Sequence, residues 1–325
     1  MPASLRIFYE GARVAVLLLG RRAWSWRSRD VPVPYGFLPF QRKDRTIKPW
    51  DQTTSCASSA LTLGAPIPDG NTIRLFRERL MQAGALDTLF ADFDCRLWTR
   101  GYLPMGGQIV DATLVAAPKQ RNTVAEKAAI KEGKSALEIW PDDPARAAQK
   151  DTDARWTLKF AKARALPDGR PGIDIAIPSF GYKSSIAICW RYGFIRRGKI
   201  TDGARFDGRM LRDVVTRDNT ASDVWADTAY RSRDNEAWLK RMGRVSRIHR
   251  KKPRGKPMPA RTAKANAAKS TDRARVEHVF ARQEAHMGLF ICTIGIARAE
   301  AKITLANLAY NIDRLMFHER RAATG

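Results

Sequence analysis

The stretch GGQIVDATLVAAP, residues 106–118, decides the fold class of this chain. It is a short run rich in β-forming residues between two glycines and a proline, and this pattern predicts a strand. Asp111 stands in the middle of that strand, where a buried carboxylate costs several kcal/mol unless a partner or a metal ion offsets it. The strand raises the question of which fold contains it, and Asp111 raises the question of what offsets its charge.

Further strand and helix patterns alternate after this stretch. Three strand candidates follow, GIDIAIP (172–178), SSIAICW (184–190) and GFIRRGKIT (193–201), of which the last two are predicted to form a hairpin. The helix DGRMLRDVV, the strand SDVWADTAY, the helix SRDNEAWLKRMG and the short strand VSRIHR come next. Strands interleaved with helices predict an α/β domain over residues 106–290.

The segments around this domain differ from it in pattern. Residues 67–105 form a helical lead-in of two helices, with Asp69 or Thr72 as the first N-cap. Residues 117–172 are a polar, Lys-rich insertion, and residues 291–325 are predicted to form a C-terminal helix that packs on the domain. Residues 1–66 are basic, show no helical or strand period, and are predicted to be irregular or disordered.

The charge balance points to a polyanionic partner. The chain has 58 Lys and Arg against 33 Asp and Glu, a formal net charge of +25. Such an excess favours a nucleic acid, because neutralised phosphates release counterions. Residues 240–269 hold twelve Lys or Arg and no acid, and include the loop HRKKPRGKPMPAR.

Cysteine spacing and hydropathy indicate where the chain works. The four cysteines lie far apart without metal-ligand spacing, so we expect reduced, mostly buried thiols. The apolar run VAVLLL, residues 14–19, is too short to span a bilayer and no signal-type cleavage site follows it. We therefore expect a cytoplasmic protein with no membrane partner.

Three carboxylates stand out against the basic background: Asp111, Asp227 at the end of a predicted strand, and Glu277 on a predicted helix. Each alone has a structural explanation, since a strand-end Asp often caps a turn and a helical Glu often pairs with Arg. Together, carboxylates from two strands and a helix can converge on hard divalent cations, which prefer oxygen ligands. Two such ions, held about 3.5–4 Å apart, can drive phosphoryl transfer.

Several stretches together resemble bacterial insertion-sequence transposases of the DDE type, family five of the insertion sequences. They are GGQIVDATLVAAPKQRNT, FGYKSSIAI, DVWADTAYRS, RARVEHVF and IGIARAEAKITLANLAYNIDRL, which lie within residues 66–320. The resemblance implies a ribonuclease-H-like fold, a mixed sheet flanked by helices. It also implies an enzyme that cuts DNA at the element ends and joins the freed 3′-hydroxyl to target DNA.

The resemblance assigns the catalytic and metal-binding triad to Asp111, Asp227 and Glu277, holding two Mg²⁺ ions for which Mn²⁺ could substitute. The implied partners are double-stranded DNA carrying the terminal inverted repeats and target DNA. The implied assembly is a homo-oligomer on DNA in the bacterial nucleoid.

Two further residues match positions that the family keeps near the active site, Tyr230 and Arg273. Arg273 lies four residues before Glu277 on one helix face, where it can orient the carboxylate, grip a phosphate, or form an ordinary ion pair. The basic loop is expected to follow the DNA backbone, although a merely solvated charged loop is the alternative. The expected DNA-binding residues are Arg273, Tyr230, Arg247, Arg250, Lys251, Lys252, Arg254 and Lys256.

The sequence departs from the family pattern at two places. Related transposases usually begin with a helical DNA-recognition domain, whereas residues 1–66 lack its apolar periodicity. A shifted reading frame or a truncation would explain this, and a shifted frame would leave the missing helices encoded in another frame upstream of Pro68. Glu284 occupies the position, seven residues after Glu277, where the family has a Lys. These departures suggest an impaired copy.

Two other functions remain open on the sequence alone. One is a non-catalytic transposase remnant that binds element ends or inhibits an active enzyme. The other is a general basic nucleic-acid-binding protein whose three carboxylates are structural.

Overall fold

The computed structural model describes residues 69–161, 175–253 and 255–324. The prediction of an irregular N-terminal segment falls on residues outside this part of the chain.

Two helices precede the sheet, α1 (Gly70–Gln82) and α2 (Ala85–Thr99), and Asp69 caps the first by accepting the Thr72 amide at 2.7 Å. The strands are β1 (Gln108–Ala116), β2 (Arg155–Ala161), β3 (Ile175–Cys189), β4 (Ile195–Asp202), β5 (Asp223–Trp225) and β6 (Val245–Ser246). The later helices are α3 (Val124–Lys131), α4 (Ala136–Ile139), α5 (Pro144–Gln149), α6 (Leu211–Val214), α7 (Arg233–Arg241), α8 (Ala260–Ala285) and α9 (Ile296–Thr324). Short 3₁₀ turns lie at Asp207–Met210 and Thr228–Tyr230.

The six strands form one mixed sheet in the order β2-β3-β1-β5-β6, with β4 also paired to β3. The pairs that β3 makes with β1, β2 and β4 are antiparallel, whereas β1–β5 and β5–β6 are parallel. A mixed sheet flanked by helices confirms the predicted class and is consistent with a ribonuclease-H-like fold.

Strand β1 lies inside the sheet and has an apolar core on both faces. Ile109 packs in one cluster with Val276 and Val279 of α8, while Val110 packs in another with Tyr230 and Leu239. Successive strand residues point to opposite faces, so Asp111 shares the α8 face with Ile109.

The start of β1 is fixed by side chains from the segment before β5. The amide of Asn219 pairs with the Gly107 backbone in both directions, at 2.9 Å to its N–H and 2.8 Å to its carbonyl. Gln108 in turn accepts the Thr216 amide at 2.9 Å and donates to the Thr216 carbonyl at 2.9 Å. These buried bonds hold β1 level with β5.

Two predicted strands, residues 172–178 and 184–190, are one continuous strand over the described residues, β3, so the prediction of a break between them is wrong. The sequence suggests a break because Pro178 interrupts the pattern. Pro178 is tolerated because this half of β3 pairs with β2 alone, leaving an edge where no amide donor is required. Strand β2 lies within the predicted insertion and extends the sheet.

The long helix α9 covers the sheet and unites three of its apolar clusters. Its Asn311 amide pairs with the Ile195 backbone of β4 in both directions at 2.8 Å. Helix α8 lies beside it, and Gln283 of α8 donates to Asn307 of α9 at 2.8 Å. The boundaries drawn between the domain and its flanking segments stay predictions.

Of the described cysteines, Cys189 is buried, but Cys95 and Cys292 are exposed, so the expectation of mostly buried thiols is wrong for these two. Across residues 69–161, 175–253 and 255–324, no helix is long and apolar enough to cross a membrane.

We expect Gly107→Ala to destabilise the protein more than Gly133→Ala. Both glycines have positive φ, 97° and 87°, so each substitution should cost about 1–2 kcal/mol of backbone strain. A Cβ at Gly107 would also lie 2.5 Å from the Asp223 carbonyl and from the Trp225 ring, whereas the space around Gly133 is open. This overlap should add about 2 kcal/mol, measured as the free energy of unfolding in denaturant. Equal losses in the two variants would contradict the close approach.

Candidate active site

Asp111 and Asp227 lie level with each other on adjacent parallel strands. Ile109 of β1 is paired with Trp225 of β5, and each aspartate follows two residues later. The backbone of Asp227 is still extended, and Ile109 and Trp225 contribute to the same apolar cluster. Because strand side chains alternate, the two carboxylates project to the same face of the sheet.

Asp227 also has a local structural role. One of its oxygens accepts the Ala229 amide at 2.8 Å and caps the turn Thr228–Tyr230. The strand-end cap considered from the sequence is therefore present, and it uses one of the two carboxylate oxygens.

Arg273 of α8 joins the strand carboxylate to the helix carboxylate. Its Nη2 donates to Asp111 Oδ2 at 3.0 Å and to Glu277 Oε1 at 3.2 Å. The side chains of Arg273 and Asp111 are 19% and 13% exposed, so this ion pair is largely shielded from water. The sequence expectation that Arg273 and Glu277 share a helix face is confirmed.

Glu277 lies at the open rim of the site. Its side chain is 62% exposed, whereas Val276 and Val279 supply the buried face of α8. Its ion pair with Arg273 links Glu277 to the strand carboxylate Asp111.

Burial raises the pKa of Asp111 above its ordinary value, and the negative charge of Asp227 adds to this rise. The charge of Arg273 and the Ala112 amide act in the opposite direction. For Arg273, burial works to lower the pKa, but Asp111, Asp227 and Glu277 outweigh it and raise the pKa. All three carboxylates therefore act on one guanidinium.

Tyr230 lies beneath these carboxylates rather than on the surface. Tyr230 is 1% exposed and packs in the core with Val110, and its expected DNA-binding role stays a prediction. Burial, followed by the charges of Asp111, Asp207 and Asp227, raises the pKa of its hydroxyl. The hydroxyl has no hydrogen-bond partner of normal geometry among the described residues.

His249 is a neighbour of the site that sequence reasoning missed. The His249 amide donates to the Ala226 carbonyl at 3.1 Å, which continues the β5–β6 ladder and places His249 level with Asp227. Burial, Arg273 and Lys269 lower the pKa of His249, against the opposing charge of Asp227. In the sequence, only the alternation of strand residues in VSRIHR hinted at the position of His249. The signal is weak because β6, the strand that His249 extends, is very short.

The donor set of the site fits a hard divalent cation. All three acidic side chains offer oxygen ligands, and the charge on the buried Asp111 is balanced only in part. Within the part of the chain that the structure describes, however, no three His, Cys, Asp or Glu side chains stand close enough together to hold a metal ion. Arg273 balances part of the negative charge of these carboxylates.

The basic loop after β6 presents most of its cations to solvent. Arg247 is half exposed and donates to Asp223 at 2.6 Å. The backbone of Arg250 is held by Asn266 of α8 through bonds of 3.1 and 3.0 Å. Lys251, Lys252 and Lys256 are exposed, while Arg254 lies outside the described residues.

Glu284, which stands where the family has a Lys, is exposed on α8, so water screens much of the repulsion it would exert on a DNA backbone. Trp225, two residues before Asp227, packs against the core and stacks with Trp190, with ring centroids 6.4 Å apart.

Comparison with known families identifies the class of this protein. The family model described as "Transposase DDE domain" matches residues 103–312, and the chain belongs to this family. Its members are transposases, which act on DNA and generally use divalent metal ions. No curated protein and no solved structure matches the chain.

Without divalent metal, Arg273→Gln should lower the free energy of unfolding by about 2–4 kcal/mol at pH 7, because Asp111 stays buried without its cation. A carboxyl group with a raised folded-state pKa opposes folding when ionised. That penalty disappears as the pH falls through the folded-state pKa towards the ordinary value of 3.8. The loss should therefore shrink between pH 7 and pH 4, as measured by denaturant unfolding.

Two controls accompany this measurement. Arg298→Gln breaks the exposed pair with Glu78 and should cost about 1 kcal/mol or less. Asp111→Asn combined with Arg273→Gln should remove the pH-dependent part. A loss in Arg273→Gln that stays constant with pH would contradict the assigned partnership.

Proposed function

We propose that this protein is the transposase of a bacterial insertion sequence of family five. It cuts DNA at the element ends and joins the 3′-hydroxyl to target DNA by metal-dependent phosphoryl transfer. The supporting observation is the level placement of Asp111 and Asp227 on adjacent parallel strands, with Arg273 and Glu277 brought to them by α8.

Asp111, Asp227 and Glu277 would hold two Mg²⁺ ions, or Mn²⁺ in their place. Bound there, divalent cations supply activation of an attacking oxygen and stabilisation of a leaving oxygen. Glu277 would join the two aspartates by exchanging its exposed ion pair with Arg273 for the cations.

The remaining residues bind and orient the DNA. The guanidinium of Arg273 offers donors to a phosphate oxygen as well as to carboxylates, so it can hold the strand beside Asp111. The exposed cations at Arg247, Arg250, Lys251, Lys252 and Lys256, together with Arg254, would follow the backbone. Tyr230 supports the floor of the site. This division explains why a strongly basic chain carries a small acidic pocket.

The proposed substrates are duplexes that carry the terminal inverted repeats, and target DNA. Bringing two element ends together usually requires a multimer in such enzymes, so we propose a homo-oligomer on DNA in the bacterial nucleoid. Recognition of the ends should be weak if residues 1–66 replace a helical recognition domain.

A non-catalytic remnant that binds or blocks element ends is the second candidate. It is favoured by Glu284, which puts an acid where the family has a Lys.

In a Mg²⁺- or Mn²⁺-dependent cleavage assay, Asp111→Asn and Asp227→Asn should each lower the rate by about 10³-fold or more. The substrate is a duplex carrying the inverted repeat that flanks the gene. Each substitution removes a charged oxygen ligand while keeping the side-chain shape. Asp213→Asn, the same change at an exposed position of α6, should leave the rate unchanged.

Metal-independent binding without cleavage, unaffected by Asp227→Asn, would overturn the enzyme and favour a binding protein. Preference for the repeat over unrelated duplex would then indicate the transposase remnant. Equal binding of both would indicate the general nucleic-acid-binding protein with structural carboxylates.

Glu284→Lys should tighten DNA binding about 3- to 10-fold at low salt and raise the cleavage rate, because it restores a cation near the proposed cut. Glu300→Lys makes the same charge change at an exposed position of α9 and is the matched control. Binding is measured by fluorescence anisotropy and cleavage on the repeat duplex. Equal gains in both variants would show that net charge alone matters and that Glu284 does not impair this copy.

A further inference from the structure

Two cations outside the acidic site converge on a single backbone oxygen. Arg231 Nη1 donates to the Ile248 carbonyl at 3.0 Å, and Lys269 Nζ donates to the same carbonyl at 3.1 Å. The two nitrogens therefore lie within about 6 Å of each other, where like charges repel. A neutral carbonyl does not cancel that repulsion.

The surroundings of this pair are also positive. Burial, followed by the charges of Arg231, Arg250 and Arg247, lowers the pKa of Lys269. Arg231 has one acid nearby, Glu236 at 3.3 Å, and that carboxylate also accepts a hydrogen bond from Ser246. Arg247 is paired with Asp223. The cluster of Arg231, Arg247, Arg250 and Lys269 thus holds more positive than negative charge around one point.

The cation pair lies next to the acidic site along two elements. Lys269 is one turn before Arg273 on α8, which displaces it by about 6 Å along the helix axis. Arg231 directly follows Tyr230 and lies four residues after Asp227. A DNA strand whose phosphate reaches Arg273 would place a neighbouring phosphate near Lys269 and Arg231.

We propose that Arg231 and Lys269 together bind one phosphate of the DNA backbone, next to the phosphate at the acidic site. This inference rests on the proposed function, because the ligand it assigns is DNA. It gives the pair a contact with one defined phosphate, which the exposed cations of the basic loop do not provide. An anionic oxygen between the two donors relieves their repulsion, and charge-assisted bonds to phosphate are stronger than bonds to a carbonyl. The Ile248 carbonyl holds the pair in place until DNA binds.

The test measures DNA binding without cleavage. A fluorescent duplex of about 30 bp is titrated with protein in EDTA at several salt concentrations, since the slope of log Kd against log salt counts neutralised phosphates. The variants are Lys269→Gln, Arg231→Gln and the double variant. Each single variant leaves the other cation to satisfy the Ile248 carbonyl, so the fold is expected to persist.

We expect each single variant to weaken binding about 5- to 10-fold, and the double variant to weaken it less than the product of the two, because both cations serve one phosphate. The slope of the double variant should fall by about 0.9, the value for one phosphate. Lys269→Arg keeps the charge and should restore most of the affinity.

The matched control is Lys264→Gln, which removes an exposed Lys from the same helix. Its effect should be smaller and should multiply with that of Arg231→Gln. A double-variant slope that falls by about 1.8 would mean two separate phosphates and would overturn the shared site. An unchanged slope would overturn any phosphate role.

This outcome is separable from that of the proposed function. If the slopes of log Kd against log salt are unchanged but cleavage depends on Asp227, the phosphate-site proposal is wrong and the transposase proposal stands. If the slopes change but no cleavage occurs, the phosphate-site proposal stands and the enzyme proposal is wrong.

Discussion

One register, Ile109 opposite Trp225 in the parallel pair β1–β5, sets where the acidic side chains of this protein lie. Both aspartates follow two residues after the paired positions, so the sheet brings them level with each other. Neither segment alone contains a signal for this alignment. The Asn219 side chain, from the segment before β5, and the Gln108 side chain of β1 hold that register. A slip of one residue would turn one carboxylate to the opposite face.

The electrostatics of the site follow from this register. The negative charge of Asp227 makes ionisation of the buried Asp111 less favourable. Helix α8 places beside Asp111 a guanidinium that is itself largely shielded from water. A dense part of the positive charge lies outside this pocket, in the loop and the first turns of α8, where residues 240–269 hold twelve Lys or Arg and no acid. A protein that binds a polyanion and also concentrates carboxylates in one pocket needs its acidic and basic side chains in separate places.

Much of the fold was predictable, because β1, β4 and the helices α1, α2 and α7 carry their own periodicity and caps. The continuity of β3 was not, since Pro178 reads as a break unless its one-sided pairing is known. For the site, the carboxylates Asp111, Asp227 and Glu277 stand out in the sequence against a basic background, whereas Arg273 is found through the family resemblance. The exposure of Glu277 and the position of His249 depend on packing and on a two-residue strand, which one sequence does not encode locally.

Helix α9 has a consequence for how the chain acquires this structure. It contributes eleven buried residues and reaches three of the apolar clusters, yet it is the last described element along the chain. During synthesis the sheet therefore emerges with one face covered only in part, by α8, and its long-range contacts close only when α9 arrives. Until then, exposed apolar surface favours aggregation, so a chain that stopped before α9 would leave three of its apolar clusters incomplete.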